Sequence, residues 1–216
     1  MKDAIIVAAT LLIAASIQAT VAQTAYQLPF ASTGNSIELS VANAASVPLS
    51  VVTVEPATMP AWIRFKEGRR IFPLIKTNEE LPVLFTFSVD RTAPVKREES
   101  ITFRITSSIG ENWTKEIRVI VAPPEGLELF QNYPNPFNPT TTLSYELTTD
   151  SRVSLKVFDL LGREVATVID ENQAAGYYKK TFDASRLSSG VYIYQLIATE
   201  EQGKRHAARD VMVLAK

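Results

Sequence analysis

The chain has no cysteine. That excludes a disulfide framework, thiol nucleophiles, iron–sulfur ligation and a lipid anchor on Cys. Histidine is nearly absent too. With His206 alone, no zinc site of the usual kind can be assembled. His206 follows Lys204 and Arg205, which reads as a solvated basic turn rather than a general base. There is no G-x-S-x-G elbow and no glycine loop that could cradle a phosphate. No spacing resembles an EF-hand loop, and no metal or other cofactor is expected. Neither sign of charge is in excess: 22 Lys and Arg face 23 Asp and Glu, for a formal net charge of −1. No basic footprint points to nucleic acid. The carboxylate pairs Glu79-Glu80, Glu98-Glu99 and Glu200-Glu201 are sequence neighbours in charged turns, and neighbours on a strand face opposite ways. They read as solvating residues rather than a glycosidase pair, and no catalytic site is expected.

What remains is β-patterning. Met1 to Ala22 is the only helix-like stretch. Ala4 to Ile17 is apolar apart from Thr10 and Ser16, and Thr20-Val21-Ala22 supplies small residues before a cut at Gln23. This predicts a signal-peptide helix over residues 1–22, hence work outside the cytoplasm; a retained membrane anchor is the alternative. Residues 23–124 alternate with period two. Ile37, Leu39 and Val41 share one face, as do Val83, Phe85, Phe87 and Val89, and Ile101, Phe103 and Ile105. Trp113, Ile117, Val119 and Val121 hold one parity of the last strand. Ile63–Phe65 and Arg70–Leu74 are weaker candidates. Several short strands without a helix predict an antiparallel β-sandwich. Trp62 and Trp113 read as core, with an aromatic sugar platform as the alternative. Arg64, Lys66, Arg69 and Arg70 read as a solvated hairpin face.

Ala122 to Gly126 ends that module, because prolines cannot donate to a ladder. Residues 125–139 read as a proline-rich linker and lead-in. Within them, Asn132-Tyr133-Pro134-Asn135-Pro136-Phe137-Asn138-Pro139 loses three backbone donors and fixes three φ angles. Such a segment is stiff and extended, and its aromatic side chains want a surface, here the first strand of the next module. That module, 140–216, carries alternation at Leu143, Tyr145 and Leu147, then at Val153, Leu155 and Val157. Asp159-Leu160-Leu161-Gly162-Arg163 predicts a hairpin whose Gly162 is left-handed. Gly190 opens the longest strand, apolar on both faces and so expected to be central or to have one face covered by a neighbouring chain. The chain ends on a strand, Val211 to Leu214.

Leu129–Lys216 resembles the type A C-terminal sorting domain of bacterial type IX secretion cargo. The resemblance rests on NYPNPFNPTTTLSYEL (Asn132–Leu147), VSLKVFDLLGREVATVID (Val153–Asp170), AAGYYKKTFDASRLSSGVYIYQL (Ala174–Leu196) and VMVLAK (Val211–Lys216). It implies an immunoglobulin-like sandwich read by the outer-membrane type IX secretion machinery. It carries a sorting motif onto Asn132 through Pro139, Gly162, Gly190, Val191, Tyr192, Arg209, Val213 and Lys216. Many relatives have a Lys or Arg just before the terminal strand. This chain has Val211 there and Arg209 two residues earlier, which leaves open which basic residue is read. The family also implies removal of the domain on export and attachment of the cargo to a surface glycolipid. NSIELSVANAASVPLSVVTVE and MPAWIRF loosely resemble the immunoglobulin-like modules that precede such domains. The expected whole is an all-β, two-sandwich, non-enzymatic secreted or cell-surface protein, with the first sandwich a spacer or binding module. The alternative is an adhesin or carbohydrate-binding module whose second sandwich is only structural.

Overall fold

The computed structural model describes residues 6–13 and 25–216. It divides into two compact units, Met1–Ala122 and Pro123–Lys216. Among the described residues there is no helix.

The first unit runs β1 (Ile6–Ile13), β2 (Tyr26–Leu28), β3 (Asn35–Asn43), β4 (Leu49–Thr58), β5 (Ile63–Phe65), β6 (Arg70–Ile75), β7 (Glu80–Val89), β8 (Glu98–Thr106) and β9 (Asn112–Val121). One sheet is ordered β1-β3-β7-β5 and the other β2-β9-β8-β4-β6. The central orders, β3-β7 facing β9-β8-β4, are the B-E against G-F-C arrangement of an immunoglobulin-like sandwich. The inward residues are the ones the alternation marked: Ile37, Leu39, Val41, Val83, Phe85, Phe87, Ile101, Phe103 and Ile105 are buried. Phe65 lies edge-on to Phe103 at 5.7 Å, joining the two sheets across the core.

Four details depart from the expectation. Ile6–Ile13, expected as part of a signal-peptide helix, is extended and pairs in parallel with β3 from Ile6↔Ser36 to Ile13↔Asn43. An apolar run of this length does not by its periodicity distinguish helix from strand, and an open strand edge can take it. The rest of the expected signal segment, residues 1–5 and 14–22, lies outside the described residues. Second, β2 also pairs in parallel, with β9, so the unit is not wholly antiparallel. Third, the alternation of β4 slips: Leu49 and Val52 are both buried, and Val51 between them is left-handed at φ +48°. That is a strained place for a β-branched residue, and it re-aims the strand at a point the sequence does not mark. Fourth, Glu98 and Glu99 stand within β8 rather than in a turn, where they meet Arg118 at 3.4 Å and Arg97 at 3.0 Å.

The second unit runs β10 (Glu128–Tyr133), β11 (Thr140–Leu147), β12 (Ser151–Phe158), β13 (Glu164–Gln173), β14 (Gly176–Asp183), β15 (Gly190–Glu200) and β16 (Arg205–Leu214). The sheets are β10-β11-β14 and β13-β12-β15-β16. Read as successive strands A, B, C, C′, E, F and G, this is A-B-E facing C′-C-F-G, the seven-strand form of the same architecture. The core is one cluster built from both layers, including Leu143, Tyr145, Leu155, Val157, Tyr194, Leu196, Met212 and Leu214. β15 is central, as its two apolar faces require, with β12 on one side and β16 on the other. Residues 128–133, inside the stretch expected as linker and lead-in, form an edge strand antiparallel to β11. The apolar positions Leu129 and Phe130 suffice for a short edge strand, and the prolines begin only where it ends.

Candidate functional site

Most of the residues onto which the resemblance carries a sorting motif gather at one end of the second unit. Gly190 opposes Leu214, Val191 opposes Val213, and Ile193 stands between Phe158 and Val211. The β12–β13 hairpin leaves from Phe158, so the loop holding Gly162 lies at this same end. Arg209 is opposite Gln195, further into the sheet.

The lead-in is held from both sides. Its base is a buried polar knot around Asn132. The Asn132 N–H donates to the Tyr194 hydroxyl at 3.0 Å, and that hydroxyl donates to Phe130 O at 2.9 Å. Asn132 Nδ2 reaches Pro134 O and Thr141 Oγ1, both at 2.9 Å, and Thr141 Oγ1 donates to Pro134 O at 2.8 Å. Burial, and then the nearby Asp210 carboxylate, push the Tyr194 phenol well above its ordinary value, so it remains a neutral donor. Every buried polar atom needs a partner, and the knot supplies them where the prolines leave the backbone without donors.

Beyond the knot the chain lies along β16. The Tyr133–Pro134 and Asn135–Pro136 bonds are cis. Tyr133 points to solvent, 81% exposed, whereas Phe137 is 2% exposed and belongs to the core cluster. The lead-in therefore uses one aromatic as an anchor and displays the other. Phe137 N donates to Val213 O and Phe137 O accepts from Ala215 N, both at 3.0 Å. The expectation that the lead-in packs on the first strand is thus met by β10 and Asn132. Residues 135–137 instead run along the last strand, a long-range partner that no local pattern names. Asn138 is exposed, and Pro139 O accepts from Ala184 N at 2.9 Å.

The terminus is tied down rather than frayed. Lys216 N donates to Ser189 Oγ at 3.1 Å, and Lys216 Nζ donates to Ser185 O at 2.6 Å and to Leu187 O. The last residue is a three-donor clasp on the β14–β15 loop. Tyr192 stays in the core, its hydroxyl on Ser188 O at 2.7 Å.

In the hairpin, Gly162 has φ +78° and donates to Asp159 O at 3.0 Å, while Asp159 N–H donates to Arg163 O at 3.0 Å. Asp159 Oδ1 accepts from Leu161 N at 2.9 Å and Arg163 N at 3.0 Å, and Oδ2 from Arg163 Nε at 2.7 Å. This fully used carboxylate holds the tip, where Leu160 and Leu161 are 68% and 79% exposed.

The sequence missed Gln131, Thr141, Tyr194, Ser185 and Ser189. Thr141 alone was signalled: it shares the inward parity of Leu143 and Tyr145, and a polar residue there asks for a buried partner. The other residues singled out in the sequence fall elsewhere. His206 is not in a solvated turn but on β16, half-buried, with Nε2 2.9 Å from Glu200 Oε1. Trp62 is 8% exposed and belongs to the core, whereas Trp113 is only half-buried. A cleft of about 470 Å³ between Arg152, Asn172, Gln173, Glu200 and Glu201 lies at the β11–β12 and β15–β16 turns. Another of about 490 Å³ in the first unit is lined by Gly34, Arg64, Lys66, Thr86 and Ser88. Neither cleft contains a residue of the sorting motif.

The second unit is thus an immunoglobulin-like sandwich whose chain terminus is clasped beside a proline-bound lead-in. Residues 131–207 match the family of secretion system C-terminal sorting domains. This stretch carries a type IX sorting domain, and the chain is cargo targeted to that export system. No curated protein matches the chain. Among solved structures, it is similar to dimeric latent PorU from Porphyromonas gingivalis at 12% identity and a TM-score of 0.37, over 92% of this chain and 19% of that one. It is also similar to the CupB2 chaperone of Pseudomonas aeruginosa, at 12% identity and a TM-score of 0.28 over 87% of this chain and 97% of that one. For the fibronectin(III)-like modules of Clostridium thermocellum CbhA the identity is 14% and the TM-score 0.25, over 92% of each chain.

Proposed function

We propose that the chain is a non-enzymatic surface protein in which residues 140–216, with their lead-in, are the address, and residues 23–124 are a spacer or binding module. The observation that carries the reading is the sorting-domain match over 131–207, which falls on a unit with a clasped end. The sorting residues are Asn132 through Pro139, Gly162, Gly190, Val191, Tyr192, Arg209, Val213 and Lys216. They act by shape: a preformed sandwich offers its lead-in, hairpin tip and terminal strand to the exporter. The apolar run before Thr20-Val21-Ala22 supports a first step across the inner membrane by a cleaved signal. The resemblance supports surface glycolipid attachment as the end point, and the balanced charge argues against nucleic acid. The sugar-platform reading draws no support from Trp62, whose ring is buried.

The test is the full chain against a deletion of Asp210 to Lys216 in a type IX-competent host. The deletion removes Met212 and Leu214 from the core and leaves the Gly190–Tyr194 half of β15 as an open edge. A companion variant keeps the alternation but scrambles the terminal residues, with circular dichroism to check that it folds. Both should stop in the periplasm, the second while folded. Surface delivery of the truncated chain at full efficiency would overturn the sorting reading.

A further inference from the structure

Among the described residues, β16 is the outermost strand of its sheet: β15 takes one edge and no strand takes the other. A row of free N–H and C=O groups is a template for another strand. Over Val211–Ala215 the template is occupied, although not by a strand. The Asn135 carboxamide meets the β16 backbone with both of its polar atoms. Oδ1 accepts from Val213 N at 2.9 Å, and Nδ2 donates to Val211 O at 3.4 Å. A donor and an acceptor set side by side are what the main-chain N–H and C=O of one residue of a parallel neighbouring strand would supply. Gln131 Nε2 gives Val211 O a second donor at 2.8 Å. The next step along the edge is taken by main chain, through the Phe137 bridge to Val213 and Ala215. Pro134 and Pro136 flank Asn135 and restrict the backbone on either side, so little freedom is lost in holding the amide there.

We propose that the lead-in is an edge guard. Asn135 stands in for the main-chain N–H and C=O of one residue of a missing strand and, with Phe137, keeps the terminal strand from pairing with β16 of a second copy of this chain. The second copy is the occupant the edge fits. Val211-Met212-Val213-Leu214-Ala215 carries no charge, so two copies running antiparallel set no like charges against each other. Val211 is already exposed beside the edge. The device does not depend on whether the unit sorts.

The test is amide hydrogen exchange by NMR and sedimentation on the full chain and on Asn135→Ala. In the variant, at a concentration where it is still monomeric, the Val213 amide should exchange about five- to tenfold faster, the factor expected for one lost hydrogen bond of ordinary net worth. The Ala215 amide, held by Phe137 O, should not change. The variant should dimerise with rising concentration while the parent stays monomeric. Unchanged Val213 exchange, a variant monomeric at every concentration, or a parent that already pairs through β16 each overturns the proposal. Should Asn135→Ala fail to fold, Asn135→Asp carries the test. It keeps the acceptor, so Val213 must stay protected, and faster exchange there overturns the guard.

Discussion

Gly162 shows how far a single residue can be read. Its spacing within Asp159-Leu160-Leu161-Gly162-Arg163 predicts a left-handed turn, and its φ is +78° with no atom within 4 Å of where a Cβ would stand. The demand is therefore on the backbone alone. Gly162→Val should destabilise the second unit by about 1–2 kcal/mol in chemical denaturation; a neutral change would contradict the left-handed turn. The neighbouring carboxylate makes a second point. Asp159 is held below the ordinary aspartate value of 3.8, first by the Arg163 N–H and further by the Arg163 guanidinium and the Leu161 N–H. A carboxylate lowered by folding stabilises the loop above its unfolded value and stops doing so as the pH falls through its folded one. The Leu161 and Arg163 amide shifts should titrate with a midpoint below 3.8; a midpoint at or above it would mean that the carboxylate does not organise the tip. Partners distant in sequence left no such mark. Nothing in the chain announces that Tyr194 bonds Asn132, because side-chain partners 62 residues apart follow from the closed fold and not from spacing.

At the scale of elements, the strands were legible wherever one face is wet and the other buried. Ile37, Leu39 and Val41, or Ile101, Phe103 and Ile105, alternate because the sheet does. Legibility failed where that condition fails. An eight-residue apolar run such as Ile6–Ile13 has no polar face to set its period. β4 changes parity at Val51, and β10 is too short and too mixed to stand out from the prolines beside it. The lead-in reads as stiff and extended in sequence, whereas it bends through residues 134–136 with two cis prolyl bonds, and Tyr133 and Phe137 look alike in sequence. Their surroundings predict opposite outcomes. Phe137→Ala should cost about 3–5 kcal/mol, since a buried ring is lost from the core. Tyr133→Ala should stay within about 0.5 kcal/mol, as an exposed substitution does. Equal effects of the two in urea denaturation would mean that the anchor is misassigned.

For the whole molecule, the expected boundary rests on Pro123 and Pro124, and on separate apolar sets before and after them. We propose that 23–124 and 127–216 are autonomous folding units. Each closes its own two-layer core, and about a hundred residues can bury enough apolar surface to fold without a disulfide. Residues 127–216 keep all seven strands, the Asn132 knot and the Lys216 clasp. Residues 23–124 lose β1, which turns β3 into an edge strand. Ile37, Leu39 and Val41 still face the opposite sheet, so what is lost is a ladder on one side rather than the core. Domains of this size gain or lose about 4–8 °C of melting temperature per kcal/mol, so a missing ladder should lower the first fragment's midpoint without abolishing its transition. Expressed separately, both fragments should melt cooperatively in calorimetry, with the second matching its transition in the full chain. If neither melts cooperatively while the full chain does, the two sandwiches form one folding unit, and the address can no longer be regarded as detachable from the cargo.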